Sequence, residues 1–159
     1  MTPQLYFVEK GASIDILDRN GWTPLLMAIE RGNYEIVEFL IRNNVNLNLS
    51  DNLGWLPLHT SILKNQGAIA ELLIKKGAKI DLFDLNGISP ICYAAEMGNH
   101  EIVELLIHNG ADVDALDQNK YNALHYAIME LGKPCNDCSN TFIIPRFIDC
   151  EKWSRRKSD

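Results

Sequence analysis

The residues of this chain whose types and spacing could support chemistry are three cysteines near the C-terminus, four histidines and four regularly spaced aspartates. Cys135 and Cys138 form a C-x-x-C pair, the spacing of a zinc knuckle or a redox dithiol, and Cys150 could add a third thiolate. A structural zinc site takes four ligands. No cysteine or histidine follows Cys150, so a fourth would have to come from upstream, for instance from His125. Inert thiols are therefore the expectation, with metal binding and a redox pair as alternatives. His100 and His108 accompany no Ser or Cys nucleophile with a matched base, and no HExxH pair is present. The aspartates, Asp18, Asp51, Asp84 and Asp117, stand alone at equal intervals along the chain. Such isolated carboxylates suit turn capping better than calcium, because an Asp side chain accepts a bond from backbone two residues on. No catalytic constellation, no metal site and no cofactor site is expected, so the reading is of a protein that is not an enzyme.

Composition narrows the class further. At 159 residues with 47% apolar and 23% charged residues, the chain has ordinary globular composition, which excludes disordered and fibrous classes. No apolar run approaches the 18 to 20 or so residues needed to cross a bilayer, and MTPQLYFVEK lacks the basic start and apolar core of a signal peptide. A cytoplasmic or nuclear location, without membrane insertion, is expected. Four cysteines without a secretion signal do not suggest a disulfide framework. The formal charge is −6, and the stretch from Arg146 to Asp159 holds five basic against three acidic side chains, leaving the rest near −8. That surface is a poor one for phosphate backbones, so nucleic acid is not expected as a partner. The tail cluster Lys152, Arg155, Arg156 and Lys157 reads as solvated charge, with nuclear import as the alternative.

The elements that must position these residues recur. The shift that carries Asp18 onto Asp51 superimposes all four aspartates and the blocks TPLLMAI, LPLHTSI, SPICYAA and NALHYAI, which begin at Thr23, Leu56, Ser89 and Asn122. It also aligns NYEIVEFLI with HEIVELLI, and Gly11-Ala12 with Gly77-Ala78 and Gly110-Ala111. Repetition at one fixed period signifies a stacked array. Within a unit, Asp18-Arg19-Asn20-Gly21 signals a hairpin turn, and Gly54 and Gly87 match Gly21. Thr23-Pro24 opens a short helix over 25–31, as Pro57 and Pro90 do in their units. After Gly32 a second helix carries Ile36, Val37, Leu40 and Ile41 on one apolar face, and Asn44 stands at its C-cap. The second unit's inter-helix turn, Asn65-Gln66-Gly67, has its glycine displaced, which predicts a differently shaped turn.

With this period, the Thr-Pro-Leu-His-like block and the Gly-Ala, the sequence resembles the ankyrin-repeat family over about residues 4–132. The resemblance implies an all-α fold, an α-solenoid of helix-turn-helix units joined by β-hairpin loops. The expected organisation is a partial repeat at 1–17, repeats at 18–50, 51–83 and 84–116, a partial repeat at 117–134 and a divergent cap or tail at 135–159. Because nothing covers the inner face of the first half-unit, a longer array is a further expectation. The resemblance implies that His59 and His125 bridge neighbouring units through backbone hydrogen bonds and that the aspartates are structural. Thr23, Pro24, Pro57, Pro90, Gly21, Gly54 and Gly87 complete the structural motif. It also implies that hairpin tips and inner helices form a concave recognition surface.

Trp22, Trp55, Ile88 and Tyr121 follow the hairpin turns and fall in one row. Two readings are open: an aromatic partner-binding row, since Trp and Tyr dominate interface energetics, or packing between hairpins. Variable neighbours Arg19, Leu53 and Leu85, with Arg31, Lys64 and Met97 at inner-helix ends, extend the candidate surface. The expected function is a non-enzymatic scaffold or adaptor that binds another protein of unknown identity. The alternative is a targeting module of a longer enzyme or effector.

Overall fold

The computed structural model describes residues 3–131, which form eight helices and, among the described residues, no strand. They are α1 (Pro3–Glu9), α2 (Pro24–Glu30), α3 (Tyr34–Arg42), α4 (Pro57–Leu63), α5 (Gly67–Lys75), α6 (Pro90–Glu96), α7 (His100–His108) and α8 (Ala123–Leu131). In the repeat register, α2 and α3, α4 and α5, and α6 and α7 are successive helix pairs. The first helices α2, α4, α6 and α8 stack in order, and the second helices α3, α5 and α7 form a parallel row behind them. The expected β-hairpin loops are tight turns without strands. In each, the aspartate N–H donates to the carbonyl four residues on, Asp18 to Trp22 (3.0 Å), Asp51 to Trp55 (3.0 Å), Asp84 to Ile88 (3.1 Å) and Asp117 to Tyr121 (2.9 Å), and the aspartate carbonyl accepts the N–H three residues on.

Local chemistry sets the helix ends. Thr23 caps α2 by accepting the Leu26 N–H at 3.1 Å, and a proline occupies the first turn of α2, α4 and α6. Asn33 and Asn99 cap α3 and α7 through the N–H groups of Ile36 and Ile102. Asn44 closes α3 at φ 61°, in the left-handed conformation expected of it. The turn between α4 and α5 differs from expectation. Asn65 adopts φ 54°, at the register position of Gly32 (65°) and Gly98 (63°), so the turn keeps the geometry of its neighbours and Gly67 simply begins α5. Asn tolerates the left-handed region better than other residues with a Cβ, which is why glycine could be displaced.

The core lies between units. Leu25, Ala28 and Ile29 of α2 and Val37 and Leu40 of α3 pack with Ile69 and Leu73 of α5. Leu58 and Ile62 of α4 pack with Ile91, Tyr93 and Ala94 of α6 and with Ile102 and Leu106 of α7. Hydrogen bonds tie the same layers together. Gln66 donates to the Ile29 carbonyl (2.8 Å), the Asn46 N–H to Asp15 (2.9 Å), and the Lys79 N–H to Asn48 (2.9 Å).

Successive turns approach closely enough to dictate a residue type. A Cβ on Gly54 would lie 2.6 Å from the backbone nitrogen of Leu85, and one on Gly21 would lie 2.7 Å from that of Asn52. The fourth turn has Lys120 at this position, at φ 68°. A lysine there carries the strain of the left-handed region, on the order of 1–2 kcal/mol. Lys120→Gly should therefore raise stability by about 0.5–1 kcal/mol, read as a higher thermal midpoint. Gly54→Ala should lower stability by roughly 2 kcal/mol or more, because strain and a backbone clash act together.

Candidate functional site

The turn row is built on its aspartates. Oδ1 of Asp18, Asp51, Asp84 and Asp117 accepts the N–H groups two and four residues on, at 2.7–2.9 Å, in all four turns. The carboxylates are thus turn caps, and the last three are buried. In two turns the second oxygen is also used. The Tyr93 hydroxyl donates to Asp84 Oδ2 at 2.7 Å and the Tyr126 hydroxyl to Asp117 Oδ2 at 2.8 Å. Burial, then the adjacent carboxylate, pushes both tyrosine hydroxyls well above the ordinary range, so both remain protonated donors. Burial alone would raise Asp117, but the Tyr121 N–H, the Tyr126 hydroxyl and the Asn119 donors outweigh it and hold it below the usual carboxylate value.

These tyrosines, at equivalent register positions on α6 and α8, are the structural residues that sequence reading missed. The signal was available in the register, since each stands nine residues after its aspartate. In the second unit Thr60 occupies that position and donates to the Leu56 carbonyl (3.2 Å).

The four side chains after the turns do not form one exposed row. Ile88 is buried in the core between α4 and α6 and is withdrawn from the candidate surface. Trp22, Trp55 and Tyr121 are half-buried. The Trp55 indole N–H donates toward the Tyr93 hydroxyl of the next unit, extending the Asp84–Tyr93 pair across the repeat boundary. Tyr121 packs edge-on to Tyr126 (6.4 Å between centroids) and tilted over His125 (5.3 Å). Each of these two aromatics has one side engaged within the array. Outward-facing residues are Arg19 and Leu85 at the turns and Arg31 and Met97 at the C-caps of α2 and α6, with Leu53 half-buried beside them. Lys64 is only partly available, because its ammonium pairs with Glu30 of the preceding unit. The turn tips are also linked to one another. The Asn52 N–H donates to the Asn20 carbonyl (3.2 Å), the Asn52 amide to Arg19 (3.1 Å), and the Gln118 amide to Leu85 (2.9 Å).

The motif histidines behave differently from each other. His59 is fully buried, accepts the Leu56 N–H on Nδ1 (3.3 Å) and packs edge-on against Tyr93 of the next unit (5.5 Å). Its Nε2 has no partner in hydrogen-bond geometry, although the Leu82 backbone at the repeat boundary lies near enough to bear on the ring. The ring thus meets the neighbouring unit through its aromatic contact with Tyr93, with the Leu82 backbone beside it. Burial lowers its pKa from 6.5 to about 4, against the opposing effects of the Asp84 charge and the Leu82 backbone. His125 is exposed and its Nδ1 lies 2.6 Å from Oδ1 of Asn122, in its own helix cap, while the backbone it would bridge to by the register of His59 lies outside the described residues. Cys135, Cys138 and Cys150 lie outside the described residues. Among the described residues no group of three His, Cys, Asp or Glu is placed to hold a metal, and no helix is long and apolar enough to cross a membrane.

A stack of like helix pairs joined by interlocked capped turns defines a helical repeat protein. The chain belongs to the ankyrin-repeat family: the family described as ankyrin repeats in three copies matches residues 3–84 and 81–149. No curated protein matches the chain with significance. Ankyrin repeats generally mediate protein–protein interaction and are typically not enzymes.

Tyr93→Phe removes a donor from a buried carboxylate. It should lower stability by about 1.5–3 kcal/mol, measured by chemical denaturation. Because the folded pKa of His59 is depressed, the unfolded chain binds the extra proton between pH 6.5 and about 4. Stability should be intact above that window and fall by on the order of 3 kcal/mol as pH drops through it. A His59→Gln chain, titrated the same way, should show most of that slope removed.

Proposed function

We propose that the stacked pairs form an α-solenoid that acts as a non-enzymatic scaffold or adaptor in the cytoplasm or nucleus and binds another protein. The binding face consists of the turn tips and the adjoining ends of the inner helices, centred on Arg19, Leu53, Leu85, Arg31 and Met97. Trp22, Trp55 and Tyr121 contribute the edges left uncovered by the array. The observation that carries this reading is the linkage of neighbouring tips by backbone and amide hydrogen bonds while Arg19 and Leu85 project into solvent. A surface held this way loses little conformational entropy on binding, so its affinity is set by side chains and not by ordering of loops.

The net charge of −6 directs the choice of partner away from nucleic acid and toward a protein surface. Exposed Leu85 and Met97 would supply apolar contact at the centre, and Arg19 and Arg31 would pair with carboxylates at the rim. A small number of such residues should dominate the interaction.

A triple variant, Arg19→Glu, Leu85→Asp and Met97→Asp, should lose the partner captured by the unmodified chain from lysate, with helicity and thermal midpoint nearly unchanged. Equal capture by both chains would place the binding face elsewhere. Trp55→Ala, by contrast, should reduce the midpoint as well, because its indole is joined to Tyr93.

A further inference from the structure

The row of second helices is basic at one place in an otherwise acidic array. Four of the nine lysines and arginines between residues 3 and 131, namely Arg42, Lys75, Lys76 and Lys79, gather there, and all four are exposed. Two of them have structural roles. Arg42 and Lys75 end α3 and α5, where a cation offsets the negative end of the helix dipole, and each pairs with the glutamate one turn earlier, Glu38 and Glu71. Lys76 and Lys79 have no carboxylate partner among the described residues.

A groove of about 540 Å³ opens at this place, between the loop after α3 and the end of α5. Its polar side chains are Arg42, Asn44, Asn48 and Lys76, and no Asp or Glu lines it. The repeat itself makes the groove, because one unit further on a second of about 430 Å³ is walled by the equivalent residues Ile74, Gly77, Ala78, Ile80 and Asp81. The chemistry differs. In the second groove Asp81 stands for Asn48 and Asn109 for Lys76, and its two charged residues, Lys79 and Asp81, are of opposite sign.

Neighbouring units show what the fold requires at these positions. Asp15, one repeat before Asn48, accepts the Asn46 N–H at 2.9 Å, and Asn48 Oδ1 accepts the Lys79 N–H at 2.9 Å in the same way. That bond needs only an oxygen, which a carboxylate supplies equally. The amide at Asn48 adds Nδ2, a donor with no acceptor among the described residues, on a side chain that lines the groove. At the C-cap of each second helix, Asn43 and Asn109 return their side-chain amides to the carbonyls of Phe39 and Leu105, at 2.9 and 2.8 Å. Lys76 occupies the same cap of α5 and gives up that bond. Both departures from the repeat place a free donor at the first groove.

Donors without acceptors call for an anion. Guanidinium, ammonium and amide groups around one groove suit a phosphate monoester, which carries about −1.5 to −2 charge and three acceptor oxygens. A carboxylate offers one charge and two oxygens. We propose that the groove between α3 and α5 binds a phosphate monoester, carried on a phosphorylated side chain or on a nucleotide, through Arg42, Asn48 and Lys76. The site lies on the second helices and the loops after them, so it does not rest on the assignment of the turn tips as a partner-binding face.

Amide NMR spectra of the isotope-labelled full-length chain test it. A phosphoserine blocked at both ends, or adenosine monophosphate, should move the Asn48, Lys76 and Gly77 signals to saturation. The tighter of the two names the source, and equal affinity shows that the site reads the phosphate group alone. Glutarate, a dianion without phosphate, should bind about tenfold more weakly than the better probe. Signals that saturate with neither phosphate, or an equal response to glutarate, would overturn the assignment. Asn48→Asp and Lys76→Asn install residues that neighbouring units carry, so each should leave the thermal midpoint unchanged while weakening binding of the better probe about tenfold. Unaltered binding in both variants would place the phosphate elsewhere.

Discussion

The close approach of successive turn backbones is the constraint on which the rest of the structure depends. With the nitrogen of Leu85 only 2.6 Å from where a Cβ on Gly54 would sit, neighbouring turns occupy one another's side-chain space. That proximity sets the spacing of the units, and the spacing in turn lets α2, α4, α6 and α8 meet with small and branched side chains between them. The aspartate in each turn makes the approach possible. By taking two backbone N–H groups onto one carboxylate oxygen, it holds the turn in a single shape that can be stacked repeatedly.

A helix pair as short as α2 and α3 has too little apolar surface to fold alone, so its core consists of contacts with the pairs on either side. Tyr93 illustrates the consequence. It caps the carboxylate of its own turn, receives the indole N–H of the preceding unit's tryptophan and packs against the buried His59 of that same unit. One residue thus couples turn, inner helix and neighbouring repeat. The arrangement suits this: a neutral histidine and a protonated tyrosine lie beside a carboxylate that accepts hydrogen bonds from the Asn86 and Ile88 N–H groups and from the Tyr93 hydroxyl.

The same economy of surface separates structural from functional positions. Side chains directed along the stack, such as Ile88 and the inner faces of Trp55 and Tyr121, are consumed by the neighbouring unit. Those directed off the tips and helix ends, such as Arg19, Leu85, Arg31 and Met97, are left for a partner. Lys64 lies between the two groups, because Glu30 of the preceding unit shares its charge. Exposure rises at the ends of the array for the same reason, since Leu124 and Phe7 have a neighbour on one side only among the described residues.

By itself the sequence determined the period, the helix pairs and the turn caps. These follow from local chemistry: Asp18 bonds backbone four residues away, Pro24 opens its own helix, and Asn44 adopts its left-handed conformation without distant help. Register alone also contained the Asp84–Tyr93 pairing, since its partners lie nine residues apart. Only the tertiary structure decided which members of the turn row face solvent. Trp55 and Ile88 occupy equivalent positions in sequence, yet one is half-buried and hydrogen-bonded while the other lies in the core. Burial in a stack depends on the shape of the side chains one repeat away, and a periodic sequence records position within a unit but not that contact. The same holds for the turn at Asn65, whose backbone the rest of the unit holds in the shape that glycine adopts elsewhere.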